Sequence, residues 1–97
     1  MILRVFEAQI LPGNEAEFAA ALRDDIAEAR RQPGVVSLRW GRRIEAGQTN
    51  VIVVSEWVDL ESVRAWLGPS YTSPRFAPGE QGLVADARIR HFEGLET

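Results

Sequence analysis

Four consecutive β-branched residues, Val51-Ile52-Val53-Val54, constrain this chain more than any other stretch. Branching at Cβ restricts χ1 in a helix and packs well on a pleated surface, so the run is a strand. A strand this apolar belongs in the middle of a sheet. The pattern then changes within a few residues. Ser55-Glu56-Trp57 leads to Asp59, whose carboxylate suits a helix N-cap. Leu60, Val63 and Leu67 follow at helical spacing, with Trp66 beside them. Residues 50–67 therefore predict a central strand that hands over to a short amphipathic helix, with a tryptophan on each.

The flanking segments fit around that unit. Residues 2–11 alternate Ile2, Arg4, Phe6, Ala8 and Ile10 against Leu3, Val5, Glu7, Gln9 and Leu11. This is a strand with neither face plainly solvated, stopped by Pro12-Gly13. Asn14 with Glu17 resembles a capping box at the head of a helix over 15–31. Phe18, Leu22, Ile26 and Ala29 form its inward stripe, and Glu17, Arg23, Asp24, Glu28 and Arg31 point outward. After Pro33-Gly34, a strand over 35–44 places Val36, Leu38, Trp40 and Arg42 on one face. A turn at 45–48 returns the chain along 50–57 as a hairpin. The second helix ends near Gly68-Pro69. Residues 70–82 read as a loop with one irregular turn, holding Tyr71, Arg75 and Phe76. The last strand spans 83–92, with Ala85, Ala87, Ile89 and His91 on a common face, and 94–97 is a tail.

The order is strand, helix, strand, strand, helix, strand, which predicts one α+β domain over 1–97 with a ferredoxin-like four-stranded antiparallel sheet. Right-handed crossovers place both helices on one face, with the first and third strands central. The other face would carry Leu3, Val5, Ile52, Val54 and Phe92 beside Glu7, Glu56, Arg88 and Arg90. A surface that apolar marks an interface, so a homodimer packed sheet against sheet is expected.

Composition removes several classes of function. With no cysteine and one histidine, disulfides, iron–sulfur clusters and thiol catalysis are excluded, and a structural zinc site is not expected. A net charge of −3 argues against a nucleic-acid partner. No apolar run reaches the roughly 20 residues of a membrane span, and the N-terminus lacks a basic lead and a cleavage site. The expectation is a cytoplasmic protein with no membrane partner. All eleven basic residues are arginine. A GC-rich genome accounts for that bias; the functional reading is that planar guanidiniums hold carboxylates or anionic ligands.

Leu11-Pro12-Gly13, Gln32-Pro33-Gly34-Val35 and Ser55-Glu56-Trp57-Val58-Asp59-Leu60-Glu61-Ser62 together resemble the antibiotic-biosynthesis-monooxygenase-like family of dimeric α/β barrels. The resemblance covers roughly residues 1 to 92. It implies a pocket between sheet and helices, used in this family by cofactor-independent quinone-forming monooxygenases, by haem-degrading enzymes, or by members with no assigned reaction. Against the haem-degrading pattern, Trp66 matches the second-helix tryptophan. Phe76 stands near the iron-ligating histidine and Phe6 or Glu7 at the first-strand asparagine. Against the quinone-forming pattern, Trp57 matches the strand-end tryptophan and Arg75 an arginine of the following loop. Val53 and Val63 stand where that branch has asparagine and tyrosine.

From these matches the pocket is expected to be lined by Phe6, Val53, Trp57, Trp66, Tyr71 and Phe76, with Trp57 and Trp66 as opposite walls. Large rings at element junctions ordinarily fill space, so a packing role for the two tryptophans stands beside the pocket role. No catalytic constellation is visible. His91, the one side chain whose ordinary pKa suits proton transfer near neutrality, and Arg75, on a loop that could cover the pocket mouth, are the candidates. Glu7, Glu56, Arg4, Arg88 and Arg90 are read as structural ion pairs. The leading reading is a small monooxygenase, free of cofactor and metal, acting on an aromatic or polyketide-like substrate. Behind it stand a non-catalytic or accessory dimer that binds an apolar small molecule, isomerase- or cyclase-like chemistry with His91 as base, and haem binding. An open sheet–helix cleft favours catalysis; a filled one favours the accessory role.

Overall fold

A computed structural model describes residues 1–45, 49–76 and 79–95. The elements are β1 (Ile2–Ile10), α1 (Glu15–Arg30), β2 (Val35–Arg42), β3 (Asn50–Trp57), α2 (Leu60–Leu67) and β4 (Val84–Glu93), with a 3₁₀ turn at Gln81–Leu83. The sheet order is β2-β3-β1-β4, antiparallel throughout. The predicted ferredoxin-like βαββαβ arrangement is therefore the fold, with β1 and β3 central. The turn predicted at 45–48 falls mostly outside the described residues.

Register assigns the faces. Phe6 lies between Val53 and Ile89, Ala8 between Val51 and Ala87, and Arg4 between Ser55 and His91. These side chains share the helix-covered face. Phe18, Leu22, Ile26 and Ala29 are buried against it, together with Ala8, Ile10 and Leu38, so the inward stripe of α1 is the one that periodicity predicts. The opposite face presents Leu3, Val5, Ile52, Val54 and Phe92; Ile52 is 39% exposed and Phe92 49%. Among them Glu7 meets Arg90 at 3.6 Å and accepts from Asn50 at 3.1 Å, and Glu56 accepts from Ser37 at 2.7 Å.

Local details depart from expectation in three places. The Asn14 side chain makes no capping bond. Its backbone sits at φ −106°, ψ 10°, away from the extended conformation from which an N-cap side chain reaches back to the first free N–H groups. In β2 the register slips between Val35 and Ser37, so Val35 faces Trp57 and Val36 bulges out at 51% exposure, off the face it was expected to share with Leu38 and Trp40. In β4 the register slips between Asp86 and Val84, which leaves Ala85 exposed, off the face of Ala87 and Ile89. The cap at Asp59 does form: its carboxylate accepts from the Ser62 backbone N–H at 2.8 Å and the Ser62 hydroxyl at 2.7 Å.

The end of α1 and the start of α2 meet at Gly34. Its carbonyl accepts from Val58 N–H at 2.8 Å, its φ is +92°, and a Cβ there would lie 2.5 Å from Ser62 Cβ. Gly13 has a similar φ of +89° but open space around it. We expect Gly34→Ala to lower unfolding free energy by about 2–4 kcal/mol, strain and clash together, and Gly13→Ala by only about 1 kcal/mol. Denaturant titration of the two variants checks this; equal losses would mean that the approach to Ser62 does not matter.

Candidate functional site

Between the helix-covered face and the two helices lies a narrow cavity of about 60 Å³ that opens to the surface. Its apolar walls are Phe6 and Val53 from the sheet, Leu22, Ile26 and Ala29 from α1, and Trp57 with Trp66. Four of the six expected pocket residues, Phe6, Val53, Trp57 and Trp66, therefore line it. Phe76 stands behind the wall, edge-on to Phe6 at 6.3 Å. Tyr71 lies to one side, its ring 5.1 Å from that of His91 and under the Arg64 guanidinium at 5.2 Å.

The two tryptophans are not opposite walls. They stack on one another, centroids 5.7 Å apart and planes 25° from parallel, and form a single slab. Trp57 is fully buried, and its indole N–H donates to Ser55 Oγ at 3.0 Å, so its polar edge is satisfied inside the core. Trp66, half-buried, carries the outer surface of the slab. The Arg75 guanidinium lies over its ring at 5.4 Å and donates to its carbonyl at 3.3 Å. Much of the cleft is thus filled by the indole pair, and the remaining space runs from Phe6 toward Arg75.

Of the polar groups in the lining, Arg75 is a candidate from the sequence, whereas Arg4, Asp25 and Glu80 are not. Arg4 is 8% exposed on the central strand, and its Nη1 donates to the Tyr71 carbonyl and to His91 Nε2, each at 2.9 Å. It was expected among structural ion pairs; its observed role is to tie the loop after α2 to β4 from inside the cavity wall. Burial first, then repulsion from Arg75, lowers its pKa to about 10, while Asp25 acts in the other direction. Asp25, on α1, lines the same cavity with Arg4, Arg75 and the buried Glu80. Burial raises the Asp25 pKa; attraction from Arg75 and Arg4 opposes the rise and nearby Glu28 adds to it. The sequence carried a usable signal. Asp25 falls between Leu22, Ile26 and Ala29 on the inward side of α1, whereas its neighbour Asp24 does not.

His91 lies outside the cavity lining, one residue across the sheet from Arg4. Because a guanidinium only donates, Nε2 accepts and the ring is neutral with its proton on Nδ1. Burial, then the Arg4 charge, lowers the His91 pKa. The residues do not fit a haem iron. Phe76 offers no ligand; of the other two candidate ligands, Tyr71 lies outside the cavity lining with its hydroxyl 3.5 Å from the Arg64 guanidinium, and His91 Nε2 already faces the Arg4 guanidinium, where a metal cation would be repelled. Among the described residues no group of three His, Cys, Asp or Glu side chains could hold a metal ion, and no helix is long and apolar enough to cross a membrane.

A ferredoxin-like sheet with an aromatic cavity beneath its two helices defines a class of small pocket-bearing domain. The chain belongs to the antibiotic biosynthesis monooxygenase family, whose model matches residues 1–71. Solved structures agree in fold. SnoaB, a cofactor-independent oxygenase from Streptomyces nogalater, superposes with a TM-score of 0.79 at 22% identity, over 99% of this chain and 94% of that one. A Deinococcus radiodurans protein carrying the same family name gives 0.79 at 15% identity, over 100% and 95%. PA3566 from Pseudomonas aeruginosa gives 0.79 at 16%, over 98% and 94%. Among curated proteins no sequence matches.

The neutral His91 has a consequence for stability. An unfolded histidine titrates near 6.5, and the folded one lies lower. As pH falls through that range the unfolded chain takes the proton first, so stability is full above the ordinary value and declines below it. We expect the melting temperature to fall from about pH 7 to about pH 5, with a shallower fall in His91→Gln, which keeps an acceptor for Arg4. Asp25 has the opposite sign, since its raised pKa favours the folded state as pH drops toward 3.8, so the His91 effect is the difference between wild type and variant. Parallel melting curves for the two proteins would assign the pH dependence elsewhere.

Proposed function

We propose that this protein is a cofactor-independent monooxygenase acting on an aromatic or polyketide-like substrate held in the cavity between sheet and helices. One observation carries the reading: a cavity walled by Phe6 and the Trp57–Trp66 slab has a buried guanidinium, Arg4, and a second guanidinium, Arg75, in its lining. Apolar walls take a ring. Cations in a low-dielectric wall favour the electron-rich, ionised form that can give an electron to O₂ directly. In such a reaction a ring C–H conjugated with the phenolic O–H, a ring CH₂ in the keto tautomer, becomes C=O with loss of both hydrogens. One atom of O₂ stays in the product and the other leaves as water with the two hydrogens removed, so the substrate is its own reductant. Membership of the monooxygenase family supports the reading.

Size adds a condition. The cavity of about 60 Å³ is smaller than the roughly 150 Å³ that accommodates a benzene ring in a dry protein core. A ring therefore enters by moving Arg75 off Trp66. The exposed cation–π contact contributes only about 0.5–1 kcal/mol, and the exposed 3.3 Å bond to the Trp66 carbonyl can be exchanged for water, so the movement costs little. Oxygen uptake by the purified protein with a panel of hydroquinones and polycyclic phenols tests the function. We expect uptake above buffer with at least one substrate, reduced at least about tenfold by Trp66→Ala. No uptake above that variant across the panel would leave the accessory, ligand-binding reading in its place.

The assembly we propose is a homodimer formed by the bare sheet face. The patch carries both signs: acidic Glu7 and Glu56 lie on the central strands, and basic Arg88, Arg90 and Arg39 on the edge strands with Asp86 beside Arg88 at 3.7 Å, around an apolar centre. A second copy related by a two-fold axis can set each sign against the other. Sedimentation of the wild type should give a dimer and of Val54→Asp a monomer. A wild-type monomer at micromolar concentration would end the proposal.

A further inference from the structure

Three groups in this cavity share a geometry that the aromatic walls do not explain. Asp25 reaches it from α1, Arg4 from the central strand, and Arg75 from the loop after α2. The carboxylate stands on one element and the guanidiniums on two others, around the space left by the indole slab. Resting on the oxygenase reading above, we propose that Asp25 is the proton acceptor of the site and that Arg4 and Arg75 receive the anion it creates. The substrate class is then a weak carbon or phenolic acid whose charge, once ionised, sits on an oxygen.

The step balances without any further reactant. The substrate C–H or O–H bond breaks, the proton passes to an Asp25 carboxylate oxygen, and the electron pair moves onto the substrate oxygen between the guanidiniums. The surroundings suit each role. Asp25 is half-buried, so it retains access to solvent for returning the proton, and its carboxyl is held above the ordinary value by burial, which makes it the stronger base. Arg4 cannot swing away, because the Tyr71 carbonyl and His91 Nε2 fix it; Arg75 is exposed and free to turn from Trp66 onto a ligand. His91 acts as a positioning residue through Arg4 and does not touch the ligand. Glu80 is the other carboxyl in the lining and is 2% exposed; Glu28 adds its charge from the outer side of α1.

Two measurements test this without requiring oxygenation. The first is deuterium incorporation into the methylene groups of 2-tetralone, followed by NMR in D₂O under nitrogen. Wild type should accelerate exchange by about 100-fold over buffer, Asp25→Asn should return it to near the buffer rate, and Asp24→Asn, at the exposed neighbour outside the cavity, should leave it intact. The second is visible titration of 4-nitrophenol, whose phenolate is coloured. Wild type should bind the phenolate at least about tenfold more tightly than the phenol, Arg75→Gln should remove most of that preference, and Asp25→Asn, which deletes a negative charge, should strengthen it. Arg75 is used because loss of the buried Arg4 threatens the fold. Exchange in Asp25→Asn at the wild-type rate, an equal loss in Asp24→Asn, no acceleration by wild type, or preferential binding of the neutral dye would each overturn the proposal. Absence of oxygen uptake with these two results intact would overturn only the oxygenase reading.

Discussion

A positive charge inside the sheet–helix layer is the constraint around which this molecule is arranged. Arg4 stands on a central strand between Ser55 and His91, with Ile2 and Phe6 before and after it on the same face. A guanidinium there costs several kcal/mol unless its N–H groups find acceptors. The chain supplies them from two distant places, the Tyr71 carbonyl in the loop after α2 and His91 on β4. That one requirement docks the loop against the sheet, fixes the histidine as a neutral acceptor, and brings the Arg75 segment over the cavity. Removing Arg4 would therefore cost more than a charge, because the loop and β4 would lose a common anchor.

Much of the fold is legible in the amino-acid order because local signals and global topology agree. The run Val51–Val54 is a central strand, the stripe Phe18, Leu22, Ile26 and Ala29 is the buried side of α1, and Asp59 caps α2. The failures are local and have physical causes. Asn14 has the residue type of a cap but not the backbone angles. Val36 and Ala85 follow a strict alternation on paper, and a bulge in each edge strand moves them out of phase. A period of two cannot anticipate a register slip that depends on how neighbouring strands twist.

The site was legible as three rings, Val53 and one loop arginine, Arg75. Phe6, Val53, Trp57 and Trp66 share the cavity as their spacing and faces imply, yet the stacking of the two indoles depends on the angle at which α2 leaves β3. The other polar members needed long-range information. Arg4 was on the correct face in the alternation of β1, but its partners lie 67 and 87 residues away. Asp25 could have been singled out as the one carboxylate within the apolar stripe of α1. Nothing in the order of residues shows that it shares a cavity with two arginines.

The bulges have a meaning for assembly as well as for register. β2 and β4 are the two edges of the sheet, and each carries one extra residue that bends it, along with arginines at Arg39, Arg42, Arg88 and Arg90. An unbent, uncharged edge would offer its free N–H and C=O groups to the edge of another copy, and repetition of that contact builds a filament. Here the bulges and arginines disfavour edge addition on both sides, while the broad face keeps an apolar centre. Growth by strand pairing is thereby made costly, and the face-to-face contact proposed above would use that surface up after one partner.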